Sequence, residues 1–338
     1  MASSTNDLED LAWKLIHDEA YATFNRGELA ASIPLFKRLA SEHAERGYYE
    51  YMLGLAHKYR RDWVACIRHN QRAISEAAPD TNLEGERWNI AIAATALGDW
   101  ALARDQWIAC GITLEPGDAP LDQERGVVSV RLNAWDGGET LYAQRIGLAR
   151  GRLINIPLTN SGHRLGDIVL LDGAKTGERR YGDATVPVFN ALQRLQPSDL
   201  RTFEVRVDCA SRVDADALEE ATGPGIGGVE DWSRSIAFLC KSCSNGVPHA
   251  HAEQAPDATG WIRERRIGIA AESRMAVDAL LDGWAAEGRT GAFLERLARR
   301  HPRRAVLAVD EEEFEQPALI EREKWWIAPE SESQSGPA

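Results

Sequence analysis

The residues best suited to chemistry lie in the C-terminal half, in Cys240-Lys-Ser-Cys243-Ser-Asn-Gly246-Val-Pro-His249-Ala-His251. Two cysteines with two residues between them let two thiolates grip one tetrahedral ion. Gly246 and Pro248 can turn the chain back, and two imidazoles follow within eight residues of Cys243. A set of two sulfurs and two nitrogens suits Zn2+, and four protein ligands fill its shell, so Cys240, Cys243, His249 and His251 predict a structural zinc knuckle. A catalytic zinc leaves one position open for water, with Glu253 as its base; this is the hydrolase alternative. An exposed redox pair is a third chemistry for such cysteines, but no thioredoxin-like surroundings accompany it.

Three other clusters invite chemistry. Asn160-Ser161-Gly162-His163-Arg164-Leu-Gly166-Asp167 gathers an imidazole, a guanidinium and a carboxylate without a matching nucleophile, which favours a structural turn over a catalytic group. Asp172-Gly-Ala-Lys175-Thr176-Gly177 fails as a phosphate loop, because Ala174 and Val169 stand where glycines are needed. Gly223-Pro-Gly225-Ile-Gly-Gly228 matches a dinucleotide fingerprint in letters only. It follows an expected helix over 215–221 instead of a strand, and is read as a flexible loop.

These clusters need elements to position them. A chain of 338 residues exceeds what one core ordinarily supports, so several domains are expected. Its formal charge of -13 repels phosphate backbones and excludes nucleic acid as a natural partner. Five cysteines, an odd and sparse number, disfavour a disulfide framework. The first ten residues are polar and acidic where a secretory leader is basic and then apolar, and no run reaches the roughly 18 apolar residues of a membrane span. A cytoplasmic protein with no membrane partner is expected.

Internal repetition dominates the N-terminal third. Asn25-Arg-Gly27-Glu-Leu-Ala-Ala-Ser32-Ile-Pro-Leu-Phe36 places a small turn residue, a small residue five positions on, and an aromatic four later. Arg61-Asp62-Trp63 with Cys66 and Asn70 repeats it, as does Gly98-Asp99-Trp100 with Ala103 and Trp107, and the turns are 34 and 37 residues apart. Small residues at 32, 54, 66, 91 and 103 let paired helices approach, while Pro79 and Pro116 follow the second and third hairpins. This pattern resembles the tetratricopeptide repeat. The resemblance implies three helical hairpins over 1–117 and a concave groove that binds a peptide or helix, lined by Tyr21, His57, Lys58 and Asn89.

After Pro116 the period shortens to two. Strands are expected over 127–132, 140–144, 152–158 and 167–171, forming a small β-rich module, sheet or barrel, within 118–200. In 201–312, Val205 to Leu218 aligns with Ile267 to Leu280 at a 62-residue offset, sharing Ser-Arg and, three residues later, Asp-Ala-Leu. Each copy predicts a strand, a serine cap and a helix. With second strands over 235–239 and 304–309 and an extra helix over 291–300, this is a duplicated βαβ, ferredoxin-like arrangement. The tail is acidic: from Asp310 on, nine carboxylates face only Arg322 and Lys324, a net of -7 around Trp325-Trp326-Ile327.

The expected fold class is therefore α+β and multidomain: a tetratricopeptide-like stack, a β-rich module, a C-terminal α/β unit carrying the zinc-knuckle loop, and a tail over 313–338. The expected function is protein binding, to a partner with basic surface, with a bacterial toxin-neutralising immunity protein as its specific form.

Overall fold

A computed structural model describes residues 3–43, 46–134, 138–236, 239, 241–248, 261–286 and 306–309. The class is α+β, with ten α-helices and two sheets among these residues. Six helices come first: α1 (Ser3–Asn25), α2 (Leu29–Glu42), α3 (Tyr48–Tyr59), α4 (Trp63–Ser75), α5 (Glu84–Leu97) and α6 (Trp100–Ala109). They pair as three hairpins whose turns all use left-handed backbone, with φ of 82° at Gly27, 61° at Arg61 and 75° at Gly98. The next residue caps the following helix in two of them, Asp62 accepting from the Ala65 N–H and Asp99 from that of Leu102. Gly54 marks the closest helix approach, since a Cβ there would lie 2.1 Å from the Asn70 amide nitrogen. Phe36, Leu53, Ile90 and Trp107, each at most 2% exposed, fill the space around these contacts.

Beyond α6, β1 (Val127–Leu132), β2 (Glu139–Arg145), β3 (Arg150–Leu153), β4 (Ile168–Tyr181) and β5 (Ala184–Gln196) close into a barrel in chain order. Neighbours are antiparallel except β1 and β5, which seal it in parallel. Val128, Val130, Leu153, Val169 and Leu171 share one buried cluster. Strand β5 has no counterpart in the sequence reading. Pro187 and the bulges that shift its register against β4 hide the alternation.

The third unit contains β6 (Arg201–Asp208), α7 (Arg212–Glu219), β7 (Ile226–Asp231), α8 (Trp232–Ser235), α9 (Lys241–Ser244), β8 (Glu264–Ala271), α10 (Arg274–Ala286) and β9 (Val306–Val309). Its sheet runs β7-β8-β6-β9, with each of these pairings antiparallel. Ser211 and Asp214 form a capping box at α7, and the Ser273 hydroxyl accepts from the Ala276 N–H at α10. Val205 pairs with Ile267 across β6 and β8, the positions that the 62-residue offset aligns.

One expected strand is corrected here. The sequence predicts 235–239, whereas Ser235 ends α8 and the sheet takes Ile226–Asp231 instead. The glycine-rich segment read as a flexible loop thus enters β7. A Cβ on Gly227 would lie 2.3 Å from Leu200 Cδ1, and with Gly227 and Gly228 the strand lacks two of the side chains by which strands are recognised. The helix expected over 291–300 and the tail 313–338 lie outside the described residues. No helix among the described residues is long and apolar enough to cross a membrane.

Candidate functional site

Helices α3, α4 and α5 of the hairpins meet the chain's own barrel. Lys58 Nζ donates to Asp172 Oδ1 at 2.9 Å, Tyr59 OH to Asp172 Oδ2 at 3.2 Å, and Trp63 Nε1 to Gln193 Oε1 at 2.8 Å. Gly173 lies against Trp88 and Ile92 of α5, which leave a Cβ there only 3.2–3.3 Å. The Lys58 and Asp172 side chains are each 4% exposed. Burial opposes the ammonium charge, but the Asp172 carboxylate outweighs it and holds Lys58 above its ordinary value.

Of the four expected groove residues, Lys58 is thus engaged by the barrel. Asn89 is buried and donates to Asn70 Oδ1 at 3.3 Å. His57 is buried between α3 and α4, its ring stacked on His69 at 5.2 Å and its Nδ1 3.1 Å from Asp62 Oδ2; burial pushes it down to about 4. Tyr21 stays half-buried, 4.7 Å from the His17 ring and edge-on to Phe36. Residues 48, 51, 55 and 58 share one stripe of α3 by helical spacing, so Tyr48, Tyr51 and Leu55 continue the face that Lys58 gives to the barrel. Tyr48 is 41% exposed, and Tyr51 and Leu55 are half-buried. The face is divided, sealed at one end and aromatic at the other. Tyr48 and Tyr51 escaped the sequence reading, although their spacing from Lys58 carries the signal.

A second assembly forms at the mouth of the barrel, where the 241–248 segment docks. Arg131 Nε donates to Ser244 Oγ at 3.0 Å, and its Nη1 to Asn245 Oδ1 at 2.6 Å and Asn190 Oδ1 at 2.9 Å. Glu178 N–H donates to the Gly246 carbonyl at 2.9 Å, and Arg179 to that of Cys243 at 3.1 Å. The backbones pack so closely that a Cβ on Gly177 would lie 2.4 Å from the Asn245 carbonyl oxygen. Arg131, Glu178, Arg179 and Asn190 were not singled out beforehand, and Cys243, Gly246 and Gly177 were considered for other chemistry. A visible signal is Arg131, the one charged residue of a strand otherwise made of Val, Ser and Leu.

Compared with protein-family models, curated proteins and solved structures, the chain matches none. Its chemistry therefore has to be read from the residues themselves.

The zinc expectation is corrected. Among the described residues no group of three or more His, Cys, Asp or Glu side chains is placed to hold a metal ion. Of the expected ligands, Cys243 is half-buried on α9, whose following residues are engaged by the barrel; Cys240, His249 and His251 lie outside the described residues. No cofactor is assigned.

The cluster at 160–167 is a turn, as its composition suggests. Asp167, fully buried, accepts from the N–H groups of Arg164 at 3.0 Å and Ser198 at 2.7 Å, while Ser161 Oγ accepts from the His163 N–H at 3.1 Å. The carboxylate holds backbone, with Arg194 at 3.7 Å and His163 Nδ1 at 3.5 Å beside it.

Where the barrel meets the third unit, two carboxylates hold one extended segment. Ile156 N–H donates to Glu230 Oε2 at 3.0 Å, and Leu158 N–H to both oxygens of Glu139 at 3.0 and 3.2 Å. Burial first, and then Glu230, raise Glu139 from 4.5 to about 7. Between those values the folded chain keeps a proton that the unfolded chain has released, so this group's contribution to stability falls as pH rises. At roughly 1.4 kcal/mol per pH unit, the loss amounts to about 3 kcal/mol. Glu139→Gln is expected to gain stability relative to the parent from about pH 5 to about pH 8 in urea titrations; parallel profiles would contradict this.

Proposed function

We propose that this chain is a protein-binding protein that holds a partner's peptide or helix on the aromatic end of its concave face, against Tyr21, Tyr48 and Tyr51. The observation that carries the reading is the division of that face. One end is committed to the barrel through the buried Lys58–Asp172 pair, while the other carries the exposed Tyr48 beside the half-buried Tyr21 and Tyr51. Tyrosine rings combine a large apolar area with a polar tip, which suits a binding surface that alternates between water and a partner.

In this reading the hairpins are tetratricopeptide-type repeats, supported by turns 34 and 37 residues apart. The third unit is a duplicated βαβ, ferredoxin-like arrangement, supported by the order β7-β8-β6-β9 and by the pairing of Val205 with Ile267. The formal charge of -13 favours a partner with basic surface, and an immunity protein bound to a basic toxin is the specific form. The hydrolase alternative rested on the zinc cluster and is not carried forward.

Full-length tagged protein is expected to retain one basic protein at about equal molar amount from cells that make both, a stoichiometry typical of a specific interface. Tyr21→Ala/Tyr51→Ala is expected to lose it. Equal retention by the variant, or no stoichiometric partner, would overturn the proposal.

A further inference from the structure

Arg131 breaks a rule of buried charge. It is 7% exposed, and a guanidinium taken from water costs several kcal/mol unless an opposite charge compensates it. Its hydrogen-bond acceptors are all neutral: Ser244 Oγ, Asn190 Oδ1, Asn245 Oδ1 and the Ala134 carbonyl. Among the described residues no carboxylate pairs with it. Carboxylates are not scarce in this chain, which has 52 Asp and Glu against 39 Lys and Arg.

A like charge makes the situation worse. Burial, and then the like charge of Arg179, push Arg131 down to about 10, still protonated at neutral pH. Arg179 is half-buried, and its donation goes to a neutral oxygen, the Cys243 carbonyl. Hydrogen bonds to hydroxyl, amide and carbonyl oxygens satisfy donors but leave two converging positive charges unneutralised. Local rules broken without compensation mark functional sites in folded proteins.

The groups around Arg131 resemble the lining of an anion site. The Nε/Nη2 and Nη1/Nη2 edges of its guanidinium are forks, each matching two oxygens of a carboxylate or phosphate. Thr140 Oγ1, 3.3 Å from Ser244 Oγ, adds a hydroxyl at the same point. Each edge now holds one oxygen that arrives from the third unit and not from the barrel, Ser244 Oγ on Nε and Asn245 Oδ1 on Nη1.

We infer that the barrel mouth around Arg131 and Arg179 is an oxyanion-binding pocket, and that Ser244 and Asn245 of the chain itself occupy it in place of the anion. The ligand is a carboxylate or phosphate group, which takes one fork of Arg131 bidentately and lifts the 241–248 segment from the barrel. The inference is independent of the concave face and does not rest on the protein-binding reading.

The test uses the full chain with inorganic phosphate and acetate as probes, followed by thermal shift and by titration of amide signals in the 241–248 segment. The parent is expected to bind one of them saturably. Ser244→Ala/Asn245→Ala, which removes the internal competitors, is expected to bind at least about three-fold more tightly, and Arg131→Gln at least about ten-fold more weakly. Should Arg131→Gln fail to fold, Arg179→Gln at its half-buried position decides, with an expected loss of at least about three-fold. Preference for phosphate over acetate, or the reverse, identifies the source. Failure of both probes to bind the parent, or equal binding by the parent and the folded arginine variants, overturns the inference.

Discussion

Asp172→Ala is expected to lower unfolding free energy by about 3 to 5 kcal/mol, measured by urea denaturation at neutral pH, because it strands the buried Lys58 ammonium. The variant forces Lys58 to give up either its proton or its burial, and Tyr59 loses its acceptor in the same step. Lys58→Met/Asp172→Leu, which removes both charges and keeps apolar volume, is expected to recover most of the loss. The pair joins residues 114 apart in sequence, so the effect reports the seating of the barrel on the hairpins and not a local helix contact. A cost below about 1 kcal/mol for Asp172→Ala would mean that the two units are not held together in this way.

The second large effect is expected at Asp167. Its removal leaves the Arg164 and Ser198 N–H groups without their acceptor and takes away the carboxylate beside Arg194, and two or three such losses sum to about 3 to 5 kcal/mol. Asp167→Ala should therefore unfold at markedly lower urea concentration than the parent. Asp167→Asn should lie between the two, since its amide oxygen can replace one acceptor only. A catalytic carboxylate behaves differently, leaving stability nearly unchanged when it is neutralised. A stable Asp167→Ala protein would contradict the structural role of this carboxylate.

The hairpins were legible because their signals are local. Gly27 and Gly98 supply the left-handed turn directly, and Arg61 was placed by its distance from them although an arginine there is disfavoured by its Cβ. Serine caps at 211 and 273 were legible for the same reason, each bonding a group three residues away. Strands β5 and β7 were not, because Pro187, register shifts and Gly227 erase the alternation that marks a strand, and only the neighbouring Leu200 explains why Gly227 must be small. The surroundings of Lys58 were not legible: helical spacing aligns it with Tyr48 and Tyr51 on α3, but nothing local reveals that Asp172, from a strand far along the chain, covers it. The 240–251 cluster shows the converse: residue types that suit a metal also suit a segment that donates Ser244 and Asn245 to a barrel, and only their partners tell the two apart.

The proposed partner-binding face is tested most directly by the affinity of the captured partner for two variants of the full chain. Tyr21→Ala/Tyr51→Ala alters the aromatic end, and Lys58→Met/Asp172→Leu alters the sealed end without leaving a buried charge. The tyrosine variant is expected to lose at least about ten-fold, the size that truncating a central aromatic contact produces, and the other to change under about two-fold. Comparable losses in both variants, or none in the tyrosine variant, would contradict the proposal.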